Sequence, residues 1–222
     1  MLPFPTMALS SRHFTSRHIP ARTPGPRERL LVVFHGLGDS LHGYLWMPQA
    51  LDLPGLSYFL VNAPDDYYGG FSWFDFPQNP VPGVLRSRKL IAALLGELRD
   101  QGMAPEDTLL FGFSQGCLMA MDAGLRSDLP LAGVIGVSGW VAAMEEYPGA
   151  ISPAARARKY LMTHGRPGPS PPGHGPRPRV QDLRQGSHHA PGRGDGHKGL
   201  DRGAAVGGKG EEAKKWPVIS DQ

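Results

Sequence analysis

Leu109-Leu110-Phe111-Gly112-Phe113-Ser114-Gln115-Gly116 is an apolar run that closes on Gly-x-Ser-x-Gly. Cys117-Leu118-Met119-Ala120-Met121-Asp122-Ala123 follows and reads as a helix. Strand, tight turn with a serine at its tip, then helix is the context that makes this pentapeptide a nucleophile elbow. The glycines have a physical task there, because strand and helix approach closely and a Cβ has no room. The geometry lifts the Ser114 hydroxyl out of the sheet. It also sets the Gln115 amide at a helix N-terminus, where it can donate to a developing oxyanion. The bland alternative is a glycine-rich turn with a bystander serine, so the surroundings decide.

Upstream, Leu30-Leu31-Val32-Val33-Phe34 is a continuous apolar run bounded by turn residues, the pattern of a buried parallel strand. It runs into His35-Gly36-Leu37-Gly38-Asp39-Ser40. A Gly-x-Gly at the carboxyl end of such a strand leaves backbone amides facing the crevice where open α/β sheets bind ligands. The Leu37 amide is the second candidate oxyanion donor; the plain alternative is a simple loop. Residues 44–51 read as a helix stopped by Pro54-Gly55, and Ser57-Tyr58-Phe59-Leu60-Val61 as a further strand. Residues 65–75 hold many aromatics without periodicity, which fits either a loop packed on the core or a wall of an apolar acyl pocket. Pro77, Pro80 and Pro82 predict an irregular segment. Val84, Leu85, Leu90, Ile91, Leu94, Leu95 and Leu98 then mark a helix over 83–101. Residues 131–137 and 159–164 are two more strand candidates, and residues 13–19 a possible edge strand. The alternation predicts an α/β fold, a doubly wound, mostly parallel sheet with helices on both faces.

Bulk properties narrow the class. At 222 residues with 40% hydrophobic content the chain suits one α/β domain, alone or with a tail. One cysteine, Cys117, excludes an intramolecular disulfide and fits a reducing, cytoplasmic compartment. The net charge is only +3 and no basic stripe interleaves with aromatics, so no nucleic-acid partner is expected. No apolar run is long enough for a membrane span. Residues 1–12 open with Met1-Leu2-Pro3-Phe4-Pro5 and lack an apolar signal core, so a flexible N-terminus is expected.

With these stretches in view, residues 13–166 resemble the phospholipase/carboxylesterase family of α/β hydrolases, small serine esterases related to acyl-protein thioesterases. The resemblance rests on Leu31 to Ser40, Trp73-Phe74-Asp75, Gly112 to Gly116, Ser138-Gly139 and Thr163-His164-Gly165, all in order. It implies Ser114 as nucleophile and the Leu37 and Gln115 amides as oxyanion hole. It further implies ester or thioester substrates with small to medium acyl groups, and neither metal nor organic cofactor.

The family's acid and base have no matching stretch. An Asp-Pro-x-Val-Pro loop is expected soon after His164-Gly165, and a histidine turn later. The chain instead reads Arg166-Pro167-Gly168-Pro169-Ser170-Pro171-Pro172, with no acid between Glu146 and Asp182. Residues 165–222 hold 13 Gly and 8 Pro in 58 positions, against 17 Gly and 15 Pro in the 164 before them. With so few large apolar residues, 167–222 is expected to be a disordered tail and the fold's C-terminal part truncated. Two accounts of the tail stand, a shifted reading frame and a natural low-complexity extension. If Pro167-Gly168-Pro169-Ser170 is encoded CCT-GGA-CCC-AGT, dropping the first base reads Leu-Asp-Pro-Val. The order Ser…Asp…His is met formally by Ser114, Asp182 and any of His188, His189 or His197. The expected function is a serine carboxylesterase or thioesterase acting through an acyl-Ser114 intermediate. The alternative is a catalytically impaired homologue that lacks the family's acid and base.

Overall fold

The computed structural model describes residues 8–76, 78–141, 151–164 and 179–182. A seven-stranded sheet runs through it in the order β1-β3-β2-β6-β7-β8-β9. The strands are β1 (Ser16–Ile19), β2 (Arg29–Phe34), β3 (Leu56–Val61), β6 (Thr108–Phe113), β7 (Gly133–Val137), β8 (Tyr160–His164) and β9 (Arg179–Asp182). β4 (Asp65–Tyr67) and β5 (Gly70–Ser72) form a separate antiparallel hairpin. The central five strands, β3-β2-β6-β7-β8, are parallel, while β1 and β9 close the two sides antiparallel.

Residues of β2 alternate between two buried faces, as the period of a strand requires. Leu31 and Val33 pair beside Tyr58, Leu60, Leu109 and Phe111. That face is covered by Leu41 and Tyr44 of a single 3₁₀ turn (Leu41–Tyr44) and by Met47 of α1 (Met47–Leu51). Leu30, Val32 and Phe34 point the other way, level with Phe59, Val61 and Leu110 and wholly buried. Helices α2 (Pro80–Asp100) and α3 (Gln115–Arg126) lie on this side, packed on each other. The last described helix, α4 (Pro153–Ala157), precedes β8. From β2 the chain goes to β3 on one side and to β6 on the other. The carboxyl ends of β2 and β6 therefore flank the topological switch point, where α/β sheets hold their ligands.

Several local expectations change. The helix expected over 44–51 is split into the 3₁₀ turn and the short α1. Pro80 and Pro82 do not keep the segment irregular but start α2, where the missing N–H groups have no helical partner anyway. Asn79 caps that start with its side chain. Pro77 lies outside the described residues. The aromatic segment is not an open loop, since Asp65–Tyr67 and Gly70–Ser72 pair across a tight turn. At the N-terminus, residues 8–12 are tied to the end of α2. Ser11 Oγ, Arg12 N and Arg12 Nε all donate to the Glu97 carboxylate, and Ser10 N donates to Gln101 Oε1. The tail also departs from the expectation at one place. Arg179–Asp182 pairs antiparallel with β8, whose free edge offers a row of unpaired backbone groups.

Candidate active site

One residue, Ser114, separates the end of β6 from the start of α3. Its backbone sits at φ 52, ψ −115, a conformation that costs an L-residue about 1–3 kcal/mol and persists only where its surroundings over-determine it. Those surroundings are identifiable. The Ser114 N–H donates to the Val137 carbonyl at 3.0 Å, and the Ser114 carbonyl accepts from Cys117 N at 3.0 Å. A Cβ at Gly116 would collide with the Phe34 and His35 carbonyls, and one at Gly112 with the Gly116 carbonyl. The two glycines of the pentapeptide thus permit the close crossing of β6, α3 and the end of β2.

The loop after β2 lies against this turn. A Cβ on Gly36 would come within 3.0 Å of Phe113 Cδ1 and 3.5 Å of Ser114 Cβ. Gly38 takes φ 76, donates to the Phe71 carbonyl at 2.9 Å and is followed by Asp39, whose carbonyl accepts from Phe71 N at 2.9 Å. The loop is therefore pinned to β5. Among the described residues, neither the Leu37 nor the Gln115 amide N–H donates to a protein acceptor. Two unspent donors flank a half-buried serine, the requirement for stabilising charge on an acyl oxygen.

Sequence reasoning missed the Gln115 side chain. It is 2% exposed. Its Oε1 accepts from Trp73 N at 2.8 Å and its Nε2 donates to the Phe74 carbonyl at 2.8 Å. Ser72 Oγ lies 3.3 Å from both of its polar atoms and donates to the Phe74 carbonyl at 2.8 Å. Ser87 Oγ on α2 donates to the Trp73 carbonyl at 2.6 Å. Ser72-Trp73-Phe74 is therefore buckled onto the elbow through one amide side chain. The available signal was a long polar residue in the first turn of a mostly apolar, buried helix.

The two readings of the aromatic segment apply to different residues. Trp73 and Phe74 are wholly buried and belong to the core. Phe113 and Phe76 expose 40% and 42% of their surface, and the half-buried Trp140 has its ring centroid 6.5 Å from those of Phe74 and Phe76. Apolar surface thus lies next to Ser114 in sequence and at the end of β7.

Among the described residues, none of the remaining candidates is assembled with the serine. Asp182 pairs with Leu161 on β9, level with Ile135 and Phe111. That is three residues back from the serine's rim and three strands across from β6. The offsets amount to roughly 10 Å along the strands and roughly 14 Å across them. β9 runs antiparallel, so the chain at Asp182 is carried toward the opposite end of the sheet. His188, His189 and His197 lie outside the described residues. His35 is 1% exposed and both ring nitrogens are engaged, Nδ1 with the Gly36 carbonyl at 2.6 Å and Nε2 with Ala63 N at 2.9 Å. Burial holds its pKa below the ordinary value, against the opposing effects of the Gly36 carbonyl and Asp39. His164 ends β8 and is exposed. Among the described residues no group of three or more His, Cys, Asp or Glu is placed to hold a metal. No helix among them is long and apolar enough to cross a membrane.

The family model described as Phospholipase/Carboxylesterase matches residues 21–172. Acyl-protein thioesterase 1 of Schizosaccharomyces pombe is 32% identical over 151 residues, covering 60% of this chain and 66% of that protein. Acyl-protein thioesterase 1 of Kluyveromyces lactis is 33% identical over 132 residues, covering 52% and 58%. The chain thus spans less than two thirds of the length of these two relatives. Among solved structures, esterase PE8 superposes with a TM-score of 0.57 at 28% identity, over 68% of this chain and 74% of that one. SOBER1 of Arabidopsis thaliana superposes with a TM-score of 0.55 at 26% identity, over 63% and 74%.

Proposed function

The chain belongs to the phospholipase/carboxylesterase family, and from that premise we propose that it is a serine hydrolase of carboxylic esters or thioesters with small to medium acyl groups. The catalytic core is assigned to residues 13–166. Ser114 is the nucleophile, and the Leu37 and Gln115 amides receive the oxyanion. The observation that carries this reading is the strained Ser114 backbone between β6 and α3, with both amides unspent beside it. Resemblance to proteins named acyl-protein thioesterase 1 supports an acyl thioester as one natural substrate type.

In the first half-reaction Ser114 Oγ bonds to the acyl carbon while its proton passes to a base. Negative charge gathers on the carbonyl oxygen between the two amides. Collapse expels the alcohol or thiol, which takes up a proton, and leaves acyl-Ser114; water then releases the acid. Loss of one such amide donor typically costs about 10²–10³ in kcat, so the amide pair carries several kcal/mol of the barrier reduction.

The register of Asp182 favours a second reading, in which the chain has the nucleophile and oxyanion hole but turns over slowly for want of an oriented acid and base. One experiment separates the two. A fluorophosphonate probe is applied to the full chain and to Ser114→Ala, alongside hydrolysis of p-nitrophenyl butyrate. Fast labelling with turnover supports the hydrolase, slow Ser114-dependent labelling with little turnover supports the impaired homologue, and labelling that survives Ser114→Ala sinks both.

A further inference from the structure

A planar trans peptide points its carbonyl and its amide to opposite sides, so whatever fixes one fixes the other. The amide of Leu37 belongs to the same peptide group as the carbonyl of Gly36. With a glycine at 36, rotation of that peptide about the Gly36 ψ bond meets little intrinsic steric resistance. Something must hold it, and the group that approaches it most closely is the His35 side chain.

We infer that His35 is a positioning residue: the hydrogen bond from its Nδ1–H to the Gly36 carbonyl sets the plane of the Gly36–Leu37 peptide, and with it the direction of the Leu37 donor. The inference rests on the reading of Leu37 as half of the oxyanion hole. Its proton assignment follows from the partners. Ala63 N donates to Nε2 at 2.9 Å, so Nε2 carries no proton. The Gly36 carbonyl, 2.6 Å from Nδ1, can only accept, so Nδ1 carries it. The imidazole is neutral and both nitrogens are spent, which leaves no capacity to act as a general base. The ring is locked as well as bonded. It packs with its centroid 5.7 Å from that of Trp73 and 6.3 Å from that of Phe71. The backbone behind it is fixed too, since Trp73 Nε1 donates to the His35 carbonyl at 2.9 Å. Asp39 N also reaches the Gly36 carbonyl, at 3.2 Å, but from within the same loop. His35 ties that carbonyl to the rigid end of β3, through Ala63.

Because Trp73 is also held by Gln115, the two oxyanion amides are linked through protein groups. The path runs from Leu37 through the Gly36 carbonyl and His35 to Trp73, then through the Gln115 side chain to the residue that supplies the second amide.

The test compares His35→Asn with His35→Gln in the full chain. An Asn amide nitrogen falls near the position of Nδ1 and can still donate to the Gly36 carbonyl, while its link to Ala63 is lost. Gln does the reverse, reaching Ala63 and losing the donor to Gly36. The readouts are the maximal rate of fluorophosphonate labelling of Ser114, the probe concentration giving half that rate, and the urea midpoint of each variant. His35→Gln is expected to label about 10–100-fold more slowly than the unsubstituted chain, with the half-saturating concentration unchanged, because an amide misdirected is a large part of an amide lost. His35→Asn is expected to label within about threefold of the unsubstituted chain although it is no more stable than His35→Gln. Equal labelling by both variants, or a loss that follows the urea midpoint, overturns the inference. Absence of Ser114-dependent labelling in the unsubstituted chain overturns the parent reading instead, and this one with it. A second measurement needs no variant: long-range ¹H–¹⁵N spectra of the unsubstituted chain must show His35 as the neutral Nδ1–H tautomer, and the Nε2–H tautomer overturns the inference.

Discussion

Gln115→Leu removes a side chain from the elbow and leaves its backbone amide in place. The hydrogen bonds it deletes are those to Trp73 N and the Phe74 carbonyl, both at 2.8 Å, and the longer ones to Ser72 Oγ. Their consequences differ. The Phe74 carbonyl keeps Ser72 Oγ at 2.8 Å, so it remains satisfied. The Trp73 N–H keeps nothing, and water cannot reach it because Trp73 is wholly buried. One orphaned, buried donor costs about 1–3 kcal/mol. Leucine has nearly the volume of glutamine, so no cavity adds to this. With a urea slope of about 2 kcal/mol per molar, the midpoint falls by about 0.5–1.5 M with the slope itself unchanged. Released from Gln115, residues 72–74 no longer brace His35, and labelling of Ser114 should slow by about tenfold. The assay is urea unfolding by tryptophan fluorescence, paired with the fluorophosphonate rate. A stability loss under about 0.5 kcal/mol together with an unchanged labelling rate refutes the bracing role.

Three further outcomes follow from groups away from the serine. Asp122, 1% exposed, accepts from Arg88 Nε at 2.6 Å and Arg126 Nε at 2.7 Å. Asp122→Ala takes that shared carboxylate from two partly buried guanidiniums and should cost about 3–5 kcal/mol in urea unfolding, whereas a cost under about 1 kcal/mol would mean the cluster is solvated. Burial pushes the Glu97 carboxyl up, but hydrogen bonds from Ser11 and Arg12 and the charge of His13 outweigh it and hold its pKa below the ordinary value. A carboxylate depressed on folding stabilises above its unfolded pKa and gives that stability up as pH falls through its folded one. Stability should therefore drop from about pH 5 downward, and Glu97→Gln should flatten this acid limb when urea midpoints are measured against pH. Burial pushes the Cys117 thiol up to about 12, against weaker opposing bonds from Gly139 and Val137. A thiol-disulfide reagent at pH 8 should leave Cys117 unmodified in the folded chain and react fully in urea; fast reaction of the folded chain would contradict the packing under the elbow.

What was readable in the sequence was whatever local pattern determines. Leu30 to Phe34 and Leu109 to Phe113 are buried on both faces, so their runs are continuous and their parallel pairing follows from the intervening helices. Ser114 was readable because the glycines that permit its turn stand within two residues of it. Leu37 was readable only as a loop position after a strand. The hydrogen bonds that join His35, Trp73 and Gln115 were not readable, because these residues are far apart in the chain and meet only in the fold. Pro80 and Pro82 were misread for a related reason: proline excludes a helix interior but suits its first turn, and only the position of Asn79 as cap distinguishes the two. The strand at Arg179–Asp182 has no apolar alternation of its own, and its pairing depends on the edge that β8 presents.

On the proposed reading, the nucleophile and its activation are physically separable in this chain, and the separation decides what an activity measurement means. The Ser114 conformation is held by the Val137 carbonyl, by the helix that starts at Gln115 and by glycines at 112 and 116. All of these belong to the sheet and helices before residue 140. None of them depends on the acid or the base. Phosphonylation by a fluorophosphonate also needs the Ser114 proton removed, but it ends at that step and asks for no activated water. Hydrolysis of an ester needs a base for both half-reactions, first to take the Ser114 proton and then to activate water. The labelling rate therefore reads the elbow and the first proton transfer together, and the ratio of turnover to labelling reads the activation of water. Supplying free imidazole at tens of millimolar tests the second half directly. If the oriented base is lacking, imidazole should raise both turnover and phosphonate labelling several-fold in the unsubstituted chain and do nothing for Ser114→Ala. Turnover that is already fast and indifferent to imidazole would mean that a histidine beyond residue 164 reaches Ser114 after all.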